Sequence, residues 1–202
     1  MALRLDHRID HLLVDEFQDT SSLQFELIRR LTRGWSEHNE QNPAAARTLL
    51  LVGDPMQSIY GFREANVGLF IRARDEGIGD LALDPLDLSV NFRSAAGLVT
   101  WSNGCFGRAF PPLDDPSVGA VAFRPADAAR GGAVEPTIRV FGGPGAAAAE
   151  VEALCDAVAA GLEDGGTGGS TAILGRSRRQ LRPFLQALRE RGIAFAARDF
   201  DP

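Results

Sequence analysis

Two short apolar runs constrain this chain more than any other feature. HLLV at residues 11–14 ends in Asp15-Glu16, and TLLLVG at residues 48–53 ends in Asp54. Runs this short, rich in Leu and Val and closed by acids or Pro55, fit strands buried in a parallel sheet better than helices. Parallel strands need long crossovers, usually helical, and the sequence supplies them. Thr20, Ser21 or Ser22 can cap a helix carrying Leu23, Leu27, Ile28 and Leu31, with Gly34 as its stop. Residues 66–76 read as a second helix, with Val67, Phe70 and Ile71 on its apolar face. A third short strand is expected at 86–90, followed by a helix capped by Ser94 and bearing Leu98, Val99, Trp101 and Phe106. Further strands are expected at 137–141, 171–174 and 193–197. Helices are expected at 146–163, with Val151, Leu154, Val158 and Leu162 on one face, and at 180–191, ended by Gly192. Residues 35–47 and 111–132 read as loops, and no internal repeat is visible. Strand and helix alternate almost throughout, so the fold class is α/β with parallel sheets.

Composition narrows the chemistry. The 202 residues suffice for one large or two small domains, and 45% apolar with 24% charged residues is a globular balance. The net charge is -6, and all 21 basic residues are Arg. The absence of Lys excludes a phosphate loop of the G-x-x-x-x-G-K-[ST] type within these residues, and Lys Schiff-base chemistry with it. GGTGGST at 165–171 lacks that Lys and precedes an expected strand, so it is not read as a phosphate loop. MALRLDHRID has no apolar core of a secretory signal, and no apolar run approaches the ~20 residues of a membrane span. Cys105 and Cys155, far apart and without a C-x-x-C, read as reduced, buried thiols. His7 and His11 stand four apart, but no Cys or third His supports a metal pair.

In parallel α/β sheets ligands bind beyond the carboxyl ends of the strands. Asp15-Glu16, Asp54 to Gln57, Asn91 to Arg93 and Gly175-Arg176 occupy those ends. An apolar strand delivering two adjacent acids is the physical form of a Walker B site. Asp15 suits Mg2+, a hard cation that prefers carboxylate oxygen, and Glu16 suits orienting and deprotonating a water. Gln57 can donate to a γ-phosphate and accept from a water. Tyr60 and Phe62 beside Arg63 suit stacking on unpaired bases, although their spacing suits a strand core equally well. Arg93 has the reach of an arginine finger and Phe92 can stack on an adenine. As an isolated dipeptide the two read as surface residues.

Taken together, HLLVDEFQDTS, VGDPMQSIYGFREA and LSVNFRS resemble, in order and spacing, three motifs of the UvrD/Rep/RecB family of ATP-dependent DNA helicases. TAILGRSRRQLRPFLQALRERGIAF resembles the family's strand–helix segment in its second motor domain. VGDP in place of VGDD leans toward the RecB/AddA branch, the exonuclease V-type helicase-nucleases. The resemblance implies incomplete RecA-like (P-loop NTPase) motor domains. Residues 1–87 would form the C-terminal half of the first and 88–202 the N-terminal part of the second. It implies ATP and Mg2+ as cofactors, with Asp15 and Glu16 at the metal and the attacking water. Gln57 and Arg93 would contact the γ-phosphate and Phe92 the adenine. Tyr60, Phe62 and Arg63 would lie on the single-stranded DNA track, and Arg176 and Arg178 would touch DNA phosphates. Three departures stand out. Met56 replaces a usual Lys, Gly61 a common Arg, and Glu64 a usual Gly, which sets negative charge beside Arg63.

The implied partners are single- and double-stranded DNA, the remainder of the same polypeptide and other subunits of a helicase-nuclease complex, with no membrane. The implied location is the bacterial cytoplasm, at the nucleoid. The family's Lys-bearing loop lies upstream of the Walker B strand and further motifs lie downstream, so this chain is expected to be part of a larger recombination or repair enzyme and inactive alone. The alternative is a helicase-like binding or scaffold module without ATPase activity. A stand-alone metal nuclease built on Asp15, Glu16 and Asp19 is disfavoured, since adjacent acids on a strand point to opposite faces.

Overall fold

The computed structural model describes residues 9–133, 136–164 and 170–197, without the side chains of Arg63 and Asp164. The chain divides into two compact units, Met1–Pro136 and Thr137–Pro202. The division near residue 87 that the resemblance implies falls inside the first unit.

In the first unit β1 (His11–Val14) and β2 (Thr48–Leu51) pair in parallel, with His11 opposite Thr48 and Val14 opposite Leu51. Between them run α1 (Ser22–Leu31) and α2 (Trp35–Gln41). Of the three candidate caps it is Ser21 that starts α1. Its hydroxyl accepts from the Gln24 N–H while the Gln24 side chain accepts from the Ser21 N–H, a reciprocal capping box. α3 (Val67–Glu76) begins at Asn66, whose side-chain oxygen accepts from the Gly68 N–H at 3.0 Å. Phe17, Ile28, Ala73 and Ile78 form the buried core, and Leu12, Val14, Leu49 and Leu51 pack on it.

Several expectations need correction. β1 and β2 are not buried on both faces: Leu13 and Leu50, which point away from the core, are exposed. On α1 only Ile28 is buried, and Leu23 and Leu27 face outward. Residues 35–47 are not a loop. Gly34, at φ 76°, turns the chain into α2, where the buried Trp35 lies under the Arg47 guanidinium at 5.9 Å. β3 (Val90–Ala95) starts later than expected and runs through Asn91 to Ser94. α4 (Ala96–Ala109) therefore starts after Ala95, and Ser94 does not cap it. The segment read as a loop at 111–132 contains β4 (Asp127–Arg130), parallel to β3. Asp-Ala-Ala-Arg has no strand periodicity, so only its partner makes it a strand.

The second unit is a helical pair, α5 (Ala146–Asp164) and α6 (Arg178–Glu190), around Cys155, Val158 and Leu188. Ile173, Ile193 and Phe195 pack against them, but 137–141, 171–174 and 193–197 form no ladder among the described residues. Their apolar residues are used as plugs against helices, or, like Val140, exposed. Cys155 is fully buried and Cys105 half-buried, and both are free thiols. Most of GGTGGST, together with His7, lies outside the described residues. No described helix is long and apolar enough to cross a membrane. The architecture is mixed helix and strand with small parallel sheets, an α/β arrangement.

Candidate functional site

The first candidate acids sit where β1 runs out. The Val52 N–H donates to Val14 O at 2.8 Å and the Phe17 N–H to Val52 O at 2.9 Å, so the ladder persists past Asp15 and Glu16. Glu16 adopts the left-handed conformation, φ 51° and ψ 42°, and a single 3-10 turn, Phe17–Asp19, follows. A left-handed non-glycine residue costs about 1–2 kcal/mol, so its surroundings must hold it there. Phe17, only 1% exposed, anchors the turn against Phe25 and Phe70, with ring centroids 6.3 and 5.8 Å away. Asp15 Oδ1 accepts from the Glu16 N–H at 2.9 Å. Both acids stay exposed.

The second segment builds a turn around Asp54. Its Oδ1 accepts from the Met56 N–H at 2.9 Å and its Oδ2 from Gln57 Nε2 at 2.7 Å, which caps the 3-10 turn Pro55–Gln57. One side chain that the motif reading left without a role joins the two segments. Gln18 is 2% exposed. Its Nε2 donates to Glu16 Oε2 at 2.6 Å, and its Oε1 accepts from the Asp54 N–H at 3.1 Å. The Ser58 hydroxyl donates to Gln18 O at 3.3 Å. The signal for this was Gly53. A Cβ there would collide with Gln18 Oε1 and stand 3.0 Å from Phe17 N, so the glycine admits the amide. A hydrogen-bonded chain thus links Glu16, Gln18, Asp54 and Gln57.

The aromatic pair lies at the next turn, Gly61–Arg63, with Tyr60 at its N-cap and Phe62 inside it. The Tyr60 and Phe62 rings are 5.8 Å apart and inclined at 58°, and Phe62 is 77% exposed. That exposure favours a stacking surface over a core. The turn is pinned back to the first segment by the Asn66 N–H, which donates to Thr20 O at 3.1 Å, and by an antiparallel bridge between Ser21 and Ala65. The Arg63 side chain lies outside the described residues. Glu64 ends the turn in the left-handed region at φ 65°, a conformation that glycine adopts without strain.

Phe92 and Arg93 lie on β3, in the other sheet of the same unit. Phe92 is 74% exposed, and Asn91 Oδ1 takes the N–H groups of Arg93 and Ser94 at 2.9 and 2.8 Å. Arg176 and Arg178 belong to the second unit, exposed on either side of Ser177, whose hydroxyl accepts from the Gln180 N–H to cap α6. Neither arginine carries an ion pair among the described residues.

Several charges elsewhere are paired. Arg29 and Arg30 hold the Glu26 carboxyl down to about 2. Arg74 donates to Asp75 and to Asp114 at 2.6 and 2.8 Å. Burial alone would raise Asp114, but the Ala122 N–H and the Arg74 guanidinium outweigh it and keep the carboxyl below its usual range. No three described His, Cys, Asp or Glu residues cluster as an all-protein metal cage. An exposed carboxylate at a strand end, with room for waters, is the donor set that Mg2+ takes together with phosphate oxygens. Asp15 fits that role.

Residues 1–77 match the UvrD/REP helicase N-terminal domain family. The chain is 36% identical over 108 residues to the RecBCD enzyme subunit RecB of Escherichia coli K12, covering 54% of this chain and 8% of that one. It is 37% identical over 115 residues to an ATP-dependent helicase/nuclease subunit of Desulforudis audaxviator, covering 55% and 8%. RecB of Mycolicibacterium smegmatis is 36% identical over 97 residues, covering 48% and 8%. The matched region thus spans about 8% of the length of these curated relatives. The resemblance read from the three motifs holds, including its lean toward the RecB/AddA branch of helicase-nucleases.

Proposed function

We infer, from a chain whose first 77 residues match the UvrD/REP helicase N-terminal domain, that it forms the water-activating and relay portion of an ATP-driven DNA motor. In this reading it is part of a RecB-like helicase-nuclease that works in recombination and repair at the bacterial nucleoid. Residues 1–87 make the second half of one RecA-like domain and 88–202 the start of another. The observation that carries the reading is the bonded chain from Glu16 through Gln18 to Asp54 and Gln57, which ties the two motif segments together. The link joins the ends of β1 and β2, where this reading puts the water-activating acid and the phosphate sensor.

In the assembled enzyme Asp15 would hold Mg2+, which would supply charge neutralisation at the phosphates of ATP. Glu16 orients the attacking water and accepts its proton, and Gln57 senses the terminal phosphate. Arg93 approaches the same phosphate from β3, while the exposed Phe92 ring covers the adenine. Tyr60, Phe62 and Arg63 carry single-stranded DNA by stacking and charge, and Arg176 and Arg178 take backbone phosphates. The phosphate cradle requires a Lys that these 202 residues do not contain. The exposed Leu13 and Leu50 on β1 and β2 suit cover by the remainder of the same polypeptide.

The test uses the longest natural polypeptide that contains this chain. It should hydrolyse ATP with Mg2+ and single-stranded DNA, and E16Q should lower kcat by a hundredfold or more with little change in nucleotide Kd. The 202-residue chain alone should show no DNA-stimulated turnover. A long polypeptide that binds DNA without hydrolysing ATP would replace the motor with the scaffold reading.

A further inference from the structure

We propose that Gln18 is a positioning residue that relays the engagement of the Glu16 carboxylate to the turn at Asp54 to Ser58. The proposal deepens the motor reading and takes its purpose from it, but the geometry stands on its own. Gln18 is buried, so both ends of its amide need partners. The two ends are satisfied by different segments, Nε2 by the exposed Glu16 carboxylate and Oε1 by the Asp54 N–H. Its own carbonyl takes the Ser58 hydroxyl, so its backbone and its side chain are both held by the second segment.

The asymmetry makes it a relay rather than a spacer. Glu16 is free on its solvent side and is the group whose partner changes when a water or a metal-bound ligand arrives. Once its Oε2 turns away, Nε2 is left as a buried donor without an acceptor, an unfavourable state. The amide must then rotate or shift, and its Oε1 loosens its hold on the Asp54 N–H. Asp54 is the cap that fixes Met56 and Gln57, so the change reaches the residue proposed to read the phosphate. The Tyr60–Phe62 turn follows within a few residues. Glutamine suits this post where close relatives in shape do not. Glutamate would set a second carboxylate against Glu16, and leucine or methionine would fill the space with neither bond. Gly53 completes the device by leaving room for Oε1.

The 202-residue chain, labelled for amide NMR, tests this without nucleotide. E16A should move the Gln18 side-chain amide resonances and the backbone amides of Asp54, Met56 and Gln57 beyond the scatter of the other residues. E16Q, which keeps an acceptor at the same place, should leave the 54–57 amides at their native positions. In a Q18L background E16A should leave those amides where Q18L alone puts them. The relay is overturned if E16A leaves residues 54–57 unmoved, if E16Q moves them as far as E16A, or if the E16A effect persists in full with Q18L. Should Q18L fail to fold, the E16A and E16Q pair, at an exposed position, still decides. An enzyme without ATPase activity whose relay passes these tests loses the motor reading alone. An active ATPase with silent 54–57 amides loses the relay alone.

Discussion

Two phenylalanines next to proposed nucleotide-site residues have opposite surroundings. Phe17 follows Glu16, is 1% exposed and packs on Phe25 and Phe70, while its neighbour Gln18 bonds both motif segments. Phe92 precedes Arg93, is 74% exposed and stands on a strand whose only described partner is the short β4. The first site is built by the chain's own residues, strained backbone included. The second presents Phe92 and Arg93 to solvent. A stability measurement separates the two. F17A removes a core aromatic and should cost about 3–5 kcal/mol, or leave the first unit unfolded, in urea titration. F92A should change stability by no more than about 0.5 kcal/mol. Comparable losses from the two would mean that β3 is packed and would erase the contrast.

A second way to sharpen the comparison uses the ion-pair strap that runs between the regions. Arg74 on α3 bonds Asp75 and Asp114. Arg124 lies 3.7 Å from Asp114 and 2.7 Å from Asp87, just ahead of β3. The Arg124–Asp87 pair is exposed and contributes little. Arg74–Asp114 is the half-buried part, and Asp114 also accepts from the Ala122 N–H at 2.7 Å. Asp75 and Asp114 are both held below the usual carboxylate range, Asp75 by the Arg74 guanidinium. A lowered folded-state pKa adds stability above the ordinary carboxylate value, about 3.9. That stability is lost as pH falls through the lowered value. D114N should therefore destabilise the first unit by about 1–3 kcal/mol at neutral pH and flatten its loss of stability in acid. Hydrogen exchange should show the Ala122 amide losing protection first. An unchanged acid profile would place the acid sensitivity elsewhere.

What could be read from the sequence followed from how locally each feature is determined. The strands at 11–14 and 48–51 and the helices near 22, 67, 146 and 178 carry their own signals of apolar period, cap and stop. The position of the candidate acids, just past the strand ends, was legible in the same way. β4 was not, since Asp-Ala-Ala-Arg becomes a strand only by lying beside Val90 and Asn91. The converse error came at 171–174 and 193–197, where Ile173, Ile193 and Phe195 have strand-like neighbours but are spent on the α5–α6 core. Gln18 escaped notice because its partners, Glu16 and Asp54, belong to separate segments, and only Gly53 hinted that something approaches closely.

The smallest predicted effect contrasts two residues with the same backbone problem. Glu16 and Glu64 are the non-glycine residues at positive φ among those described, at 51° and 65°. For Glu16 the side chain has a bonded use, since its carboxylate holds the Gln18 amide. Glu64 is exposed at the end of a single 3-10 turn, with its N–H donating to Gly61 O at 3.2 Å, a bond that any residue would make. Replacing it by glycine relieves about 1–2 kcal/mol of left-handed strain. Against that stands the larger entropy of an unfolded glycine, about 0.5–1 kcal/mol. E64G should therefore stabilise the first unit by about 0.5–1 kcal/mol, read as a higher urea midpoint with an unchanged slope. It also removes a carboxylate beside Arg63, so in the DNA-track reading single-stranded DNA should bind more tightly at low salt and the gain should fade as salt rises. E16G relieves the same strain but surrenders the Gln18 bond, so its gain should be smaller or negative. A larger gain from E16G than from E64G would mean that the Glu16–Gln18 bond does not hold the first site together.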